Sequence, residues 1–109
     1  MKNTIMLQCN YVNEKGHPQG YWEQYYENGQ LWYKGHYING KEEGYWEEYH
    51  HNGQLWSKGN YVNGVKNGYW EVYWSCGNLW YKGYYKNKKR DCYWVINNQE
   101  IYYATMLSI

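Results

Sequence analysis

The sequence predicts an all-β fold of about nine antiparallel strands, arranged as successive β-hairpins. The tetrapeptide Gly-Tyr-Trp-Glu begins at Gly20, Gly44 and Gly68, and a degenerate Cys-Tyr-Trp begins at Cys92, so the copies lie 24 residues apart. Runs rich in Tyr and Trp flank a recurring Asn-Gly dipeptide, which is the strongest short-range signal for a hairpin. A constant period in this range indicates a repeat array, with the hairpin as its unit.

The repeat divides one domain, residues 1–109, into full units and terminal fragments. The full units span residues 20–43, 44–67 and 68–91, with a partial unit at 5–19 and a degenerate cap at 92–109. The hairpin turns are expected at Asn28-Gly29, Asn52-Gly53 and Cys76-Gly77. A second glycine-bearing turn, such as Asn39-Gly40, is expected to join each hairpin to the next.

A two-residue hairpin turn determines the strand register. The numbers of paired residues must then sum to 57, 105 and 153 in the three units. The first unit has the predicted pairs Glu23–Lys34, Trp22–Gly35, Tyr25–Trp32 and Tyr26–Leu31. The charged pair recurs as Glu47–Lys58 and Glu71–Lys82, and each motif tryptophan is expected to lay its ring over the opposing glycine.

Alternation along the strands assigns the side chains to two faces. The first face is expected to carry Trp22, Tyr26, Leu31, Tyr33, Gly35 and Tyr37 with their copies. The second face, which also carries the glutamates, is the candidate binding surface, because flat rings beside a cation can stack a ligand or grip a side chain. Its candidate residues are Tyr21, Tyr25, Trp32, Lys34, Tyr45, Tyr49, Trp56, Lys58, Tyr69, Tyr73, Trp80 and Lys82. A purely structural interpretation competes with this one, in which the rings stack on one another to stabilise the sheet.

The composition favours amphipathic rings over an aliphatic core. Aromatic residues make up 23% of the chain, with 17 Tyr, 8 Trp and no Phe, and the mean hydropathy is −1.10. Tyr and Trp can place a ring against apolar surface and still show a polar edge to water. The formal charge of +1 provides no field to steer the chain onto nucleic acid, so nucleic-acid binding is not expected.

The sequence shows no sign of a membrane span or of a metal framework. No apolar run approaches the roughly 20 residues of a spanning helix, and residues 1–7 are too short and too mixed for a signal peptide. We therefore expect a soluble cytoplasmic protein, in the host cytoplasm if the source is a virus. The three cysteines form no Cys-x-x-Cys and His50-His51 adjoin a predicted turn, so neither a zinc site nor a disulfide network is expected.

The segment from Tyr33 to Gly44 resembles the MORN repeat, whose pattern is Tyr-x-Gly-x-aromatic-x-x-Gly-x-x-x-Gly. The match recurs near residues 58–68, where Ser57 replaces the leading Tyr, and it weakens after Lys82. With Gly-x-Trp-x-x-Tyr-x-x-Asn-Gly-x-Leu, the chain looks most like the variant MORN repeats of bacterial proteins described as antitoxins and of large DNA viruses. The resemblance covers about residues 5–100. It implies an elongated, twisted antiparallel sheet and a role in protein interaction or dimerisation, with membrane-surface binding implied by analogy alone.

The sequence predicts no enzymatic activity. Asp91 is the only aspartate, and no Gly-x-Ser-x-Gly, His-Glu-x-x-His or phosphate-loop motif occurs. Glu23, Glu47 and Glu71 lie two strands apart and each faces a lysine, so they indicate a structural charge ladder and not a catalytic carboxylate pair. No cofactor and no metal ion are expected.

The expected function is the binding of a protein partner or of a second copy of the chain through the Tyr- and Trp-rich faces. Two alternatives stay open: an antitoxin-like inhibitor of a partner enzyme, and a binder or sponge for a small nucleotide-like anion. A homodimer is the expected form of self-association, because Thr4–Leu7 and Tyr102–Leu107 carry no charge and leave the sheet edges unprotected.

Overall fold

The computed structural model describes the backbone of residues 10–86, 89–96 and 99–103, and the side chains of residues 10–86, 95 and 96. Within these residues the chain forms nine strands. They are β1 Tyr11–Val12, β2 Pro18–Tyr25, β3 Leu31–Ile38, β4 Lys41–Tyr49, β5 Leu55–Val62, β6 Val65–Tyr73, β7 Leu79–Lys86, β8 Lys89–Ile96 and β9 Gln99–Tyr103.

The nine strands form one sheet in sequence order, and every neighbouring pair is antiparallel. The molecule is elongated, with principal extents of 53 × 30 × 23 Å. The described residues contain no helix, and therefore none that is long and apolar enough to cross a membrane. The predicted all-β sheet of successive hairpins, with about nine strands, is confirmed.

The predicted hairpin register is confirmed along most of each unit. Glu23 pairs with Lys34, Glu47 with Lys58 and Glu71 with Lys82, and Trp22 pairs with Gly35. Lys34 is also paired with Glu47, and Lys58 with Glu71, on the following strand. Because directly paired residues share a face of the sheet, these glutamates and lysines all lie on the same side. Of the partial unit at 5–19, the structure describes β1, the loop that follows it and the first two residues of β2, since residues 1–9 lie outside the described part.

The predicted two-residue turn at Asn28-Gly29 is wrong. The turn has three residues, because Tyr26 N–H donates to the Gln30 carbonyl at 2.9 Å and Gly29 N–H donates to the Tyr26 carbonyl at 3.0 Å. Only Gly29 has a positive φ in this loop, at 90°, which is the pattern of a type I turn closed by a glycine bulge. Equivalent hydrogen bonds close the three-residue turns that end at Gly53 and Gly77.

An extra residue after each hairpin turn compensates for the longer loop. Tyr25 pairs with Leu31 and Gln24 pairs with Tyr33, so Trp32 is a bulge without a partner in this ladder. The predicted pairs Tyr25–Trp32 and Tyr26–Leu31 are therefore wrong, and the same bulges occur at Trp56 and Trp80. A one-residue slip reverses the face on which a side chain lies. Leu31 therefore lies on the same face as Tyr25, and Trp32 lies on the opposite face.

The connections between hairpins are the two-residue turns. Asn39 and Gly40 have φ values of 49° and 83°, and Asn63 and Gly64 have values of 53° and 81°, as a type I′ turn requires. Neighbouring turns are also joined, because Gly64 N–H donates to the Glu42 carbonyl at 2.9 Å and Asn63 N–H donates to the Glu43 carboxylate at 2.8 Å. Each unit therefore braces the next at the turns as well as along the strands.

Gly35 in β3 and Gly59 in β5 each lie beneath a tryptophan, but the ring comes from the following unit. The nearest atoms to a Cβ built on Gly35 belong to Trp46, and those for Gly59 belong to Trp70. The prediction that Trp22 covers Gly35 is therefore wrong, although the two residues are paired. The indole N–H of Trp46 donates to the carbonyl of His36 at 3.1 Å, which fixes the ring across β3.

The core lies on the face that carries these rings, which we call the tryptophan face and define by Trp22, Tyr33, Tyr37, Trp46, Tyr61 and Trp70. Trp70 is 2% exposed and Trp46 is 7% exposed. In a single sheet such burial requires neighbouring side chains to close over the ring. Tyr61 and Tyr85 contact Trp70 edge-on at centroid distances of 5.1 and 6.4 Å.

Candidate functional site

The opposite side of the sheet, which we call the tyrosine–glutamate face, carries the residues Tyr21, Glu23, Tyr25 and Lys34 with their copies. The carboxylate of Glu23 accepts hydrogen bonds from the hydroxyls of Tyr21 at 2.7 Å and Tyr25 at 2.6 Å. These hydroxyls, more than the charge of Lys34, hold the pKa of Glu23 below its ordinary value. The predicted clustering of tyrosines around this position is present in the first unit.

The cluster repeats in the next two units. Glu47 accepts from Tyr45 and Tyr49 at 2.8 and 2.6 Å, and Glu71 accepts from Tyr69 and Tyr73 at 2.8 and 2.7 Å. Alternation places a tyrosine two residues before and two residues after each glutamate on the same face, which is why both hydroxyls reach one carboxylate.

Two lysines of this face form ion pairs with the following unit. Lys34 Nζ lies 3.5 Å from a carboxylate oxygen of Glu47, and Lys58 Nζ lies 3.5 Å from Glu71. Burial opposes ionisation of Glu47, but the two tyrosine hydroxyls and Lys34 outweigh it, so its pKa lies below the ordinary value. At Lys82 the equivalent position on the next strand is Val95, and the ladder of glutamates ends there.

The structure brings together nine of the twelve predicted binding residues. The tyrosines and lysines share the tyrosine–glutamate face, while the three bulged tryptophans Trp32, Trp56 and Trp80 leave it. Trp32 stacks on Tyr26 at 5.4 Å and contacts Tyr33 edge-on at 5.2 Å. Trp56 and Trp80 stack in the same way on the residues equivalent to Tyr26, which are His50 at 4.9 Å and Trp74 at 4.0 Å.

The tryptophan face contains a cavity of about 200 Å³ that extends from β3 to β6. Six aromatic side chains line it: Trp32, Tyr33, Tyr37, Trp46, Tyr61 and Trp70. Trp46 is the central ring, with centroid distances of 5.6 Å to Tyr33, 4.9 Å to Tyr37 and 6.0 Å to Tyr61. Since the rings support one another in this way, the aromatic wall of the cavity is held in place before any ligand arrives.

The charged groups that line the cavity are carboxylates. Glu42 and Glu48 lie in its wall beside the largely buried Ser57, while Glu47, another lining residue, has its carboxylate bound by Tyr45 and Tyr49. Burial raises the pKa of Glu48 above its ordinary value, against the opposing effects of an indole hydrogen bond from Trp32 and the charges of Lys66 and His50. Burial, with the negative charges of Glu42 and Glu48, raises the pKa of Tyr61 to about 12. The cavity therefore combines aromatic rings with negative potential.

The equivalent place one unit further along has different charges. The positions of Glu42 and Glu48 are taken there by Lys66 and Val72, each 24 residues later. The ammonium of Lys66 lies 4.8 Å from the ring centroid of Trp70 and 5.2 Å from that of Tyr85. Burial lowers the pKa of Lys66, and the charge of Glu48 opposes that shift.

Sequence reasoning missed the cavity because its prediction concentrated on residues that recur in every unit. Glu48 replaces Gln24 of the first unit and Val72 of the third, so it is a departure from the repeat. A comparison of the three copies at positions where they differ would have singled it out. Among the residues whose side chains are described, no group of three or more His, Cys, Asp and Glu could hold a metal ion.

The fold and these two faces define a β-hairpin repeat protein with an aromatic-rich surface. Three consecutive segments, residues 18–39, 42–63 and 66–87, match the family model described as MORN repeat variant. The segments begin 24 residues apart and cover more than half of the chain, and the protein belongs to the MORN repeat family. No curated protein matches the chain.

Proposed function

We propose that this protein is a non-enzymatic, cytoplasmic binding module whose tryptophan face receives a protein partner. The observation that carries the proposal is the preformed, ring-lined cavity on that face, with Trp32 left 37% exposed at its wall. Tryptophan and tyrosine beside a pocket are typical anchors of protein interfaces, because they bury a large area with few rotatable bonds. Membership of a repeat family fits a binding role of this general kind.

The tyrosine–glutamate face is the weaker candidate surface. Each of its glutamates is bound by two tyrosine hydroxyls, and Glu47 and Glu71 are also ion-paired. A partner would have to replace these contacts without a gain in hydrogen bonds. The same argument counts against the nucleotide-like anion, because Lys34 and Lys58 are each already next to a carboxylate.

Affinity capture from the native host with matched variants tests the proposal. We expect one or more proteins to be captured by the wild type, lost with Trp32→Ala and retained with Tyr25→Ala, which removes a more exposed ring from the opposite face. If capture were lost with Tyr25→Ala but not with Trp32→Ala, the interface would lie on the tyrosine–glutamate face. A capture profile unchanged by Trp32→Ala would refute the proposal, and a captured toxin-like enzyme would support the antitoxin alternative.

A further inference from the structure

We infer that the tryptophan-face cavity binds a methylated ammonium group, and that the group belongs to a methylated lysine of the partner protein. The second part of the inference rests on the proposed function. The first part stands on the cavity alone, because it concerns only the chemistry that the lining residues accept.

The lining side chains favour a cation. Aromatic faces attract cations through the ring quadrupole, and the attraction is stronger where water is excluded. Here six rings line a space that opens onto one face of the sheet and into which Glu42 and Glu48 bring negative charge, and no Lys, Arg or His is among the described residues that line it. An anionic ligand would meet both the ring faces and two carboxylates, so this site selects against it.

The repeat itself contains a model of the bound state. One unit further along, the ammonium of Lys66 lies over Trp70 and Tyr85. The equivalent rings in the cavity are Trp46 and Tyr61, whose centroids are 6.0 Å apart, and the position of the lysine is occupied by Glu42. The Trp46–Tyr61 pair therefore has the geometry that accepts an ammonium, but the lysine position beside it holds the carboxylate of Glu42 in place of a cation.

The size and polarity of the cavity favour a methylated head group. A volume of about 200 Å³ is below the roughly 300–1,000 Å³ of pockets that enclose drug-sized ligands, so the cavity matches a small head group better than a whole nucleotide. An unmodified ammonium is strongly hydrated and brings three donors, whereas the wall consists mainly of rings. Methylation removes donors and hydration while it keeps the positive charge, and quaternary ammonium groups are recognised in aromatic cages of this kind.

The test is a titration of the full chain, followed through the indole N–H signals of Trp46 and Trp70 in NMR spectra. The ligands are a short Gly/Ser peptide with one trimethyllysine, the same peptide with unmodified lysine, the same peptide with a neutral tert-butyl isostere, and free tetramethylammonium. We expect the trimethyllysine peptide to bind at least about tenfold more tightly than the neutral isostere, since charge is the only difference between them. Equal binding of the charged and neutral peptides, or no binding of any cation, would overturn the inference.

Three variants separate the role of the carboxylate from general effects of charge. Glu48→Gln removes the negative charge at nearly constant volume, and we expect it to weaken trimethyllysine binding about tenfold. Lys66→Met removes the neighbouring cation that competes for Glu48, and should strengthen binding. Glu14→Gln is the control for Glu48→Gln, because it changes the net charge by the same amount at an exposed loop position, and it should leave the affinity unchanged. Equal affinities in all three variants would contradict the assigned site.

The outcomes distinguish this inference from the proposed function. Binding of tetramethylammonium without binding of the peptide would retain the ammonium site and overturn its assignment to a protein side chain. If no cation binds but Trp32→Ala still abolishes capture of a partner, the inference fails and the proposed function stands. If cations bind but capture is independent of Trp32, the proposed function fails and the ammonium site stands.

Discussion

A side chain added at Gly59 provides the most direct test of how the sheet is packed. A Cβ at this position would lie 2.5 Å from Trp70 Cγ, and closer still to Cδ2 and Cε2, so the indole has to move. Trp70 is 2% exposed, and its N–H donates to the Asn60 carbonyl at 3.0 Å. A valine at position 59 therefore displaces the most buried ring among the described side chains and breaks its hydrogen bond.

The expected magnitude follows from the loss of the buried ring. Loss of the packing of a buried tryptophan lowers the free energy of unfolding by about 3–5 kcal/mol. In a domain of this size 1 kcal/mol corresponds to about 4–8 °C in Tm, so Gly59→Val should lower the Tm by about 12 °C or more. Lys58→Ala removes an ion pair whose lysine side chain is 39% exposed, and should lower the free energy of unfolding by about 1 kcal/mol or less.

The assay is thermal and urea denaturation followed by tryptophan fluorescence, with two matched controls. Gly59→Ala adds only the Cβ and should still destabilise the fold, even if Gly59→Val does not fold at all. Asn60→Ala places an alanine at the neighbouring position of β5, where the side chain is exposed, and should have a small effect. If Gly59→Ala and Gly59→Val melted together with Lys58→Ala and Asn60→Ala, the packing of tryptophan on glycine would not stabilise the sheet as argued.

Four further predictions concern titration, the cavity, the turns and assembly. Burial and a hydrogen bond to glutamate raise the pKa values of Tyr49 and Tyr73 to about 12. The stabilisation that these two tyrosines provide is therefore complete below the unfolded pKa of about 10 and is lost as the pH rises through 12. A Tm that stays constant between pH 9 and 12 would contradict this. Because burial raises the pKa of Glu48, Glu48→Gln should raise the Tm at neutral pH. The gain in Tm should vanish in acid, where the carboxyl is protonated. A lower Tm of Glu48→Gln at pH 7 would show that the charge of Glu48 is well solvated. Asn63 has a φ of 53°, so Asn63→Val should destabilise the fold by about 1–2 kcal/mol while Asn63→Gly is tolerated, as measured by urea denaturation; equal effects would argue against the type I′ turn. Light scattering at micromolar concentration should give the mass of a homodimer, and a single species of 13.4 kDa would refute self-association.

The sequence alone predicted the features that depend on the repeat and on local turn chemistry. The 24-residue period, the all-β class and the pairing of Glu23 with Lys34 follow from recurring glycines and from the alternation of side chains. The predicted register is correct beyond the bulge although the predicted turn was wrong, because the extra residue in the loop before Leu31 is balanced by the bulge at Trp32. The prediction of self-association depends largely on terminal segments that lie outside the described residues, and it stays a prediction.

Contacts between units were decided by the tertiary structure. A central strand has a neighbour on each side, and a hairpin register says nothing about which neighbour a side chain prefers. Lys34 is directly paired with Glu23 on β2 and with Glu47 on β4 but forms its ion pair with Glu47, and Gly35 pairs with Trp22 but lies beneath Trp46. The physical reason is that rings and long side chains reach across the sheet in a direction set by its packing.

The two Asn-Gly turns of the first full unit show that the sequence also left the backbone conformation of a turn undetermined. Asn28-Gly29 and Asn39-Gly40 are identical dipeptides, yet one lies in a three-residue bulged loop and the other forms a two-residue type I′ turn. Local propensity permits both conformations, and the strands that must meet across each turn select between them. That selection moved Trp32 to the tryptophan face and so formed the wall of the cavity. The sequence thus determined the repeating unit, whereas the cavity arose from the way in which successive units pack.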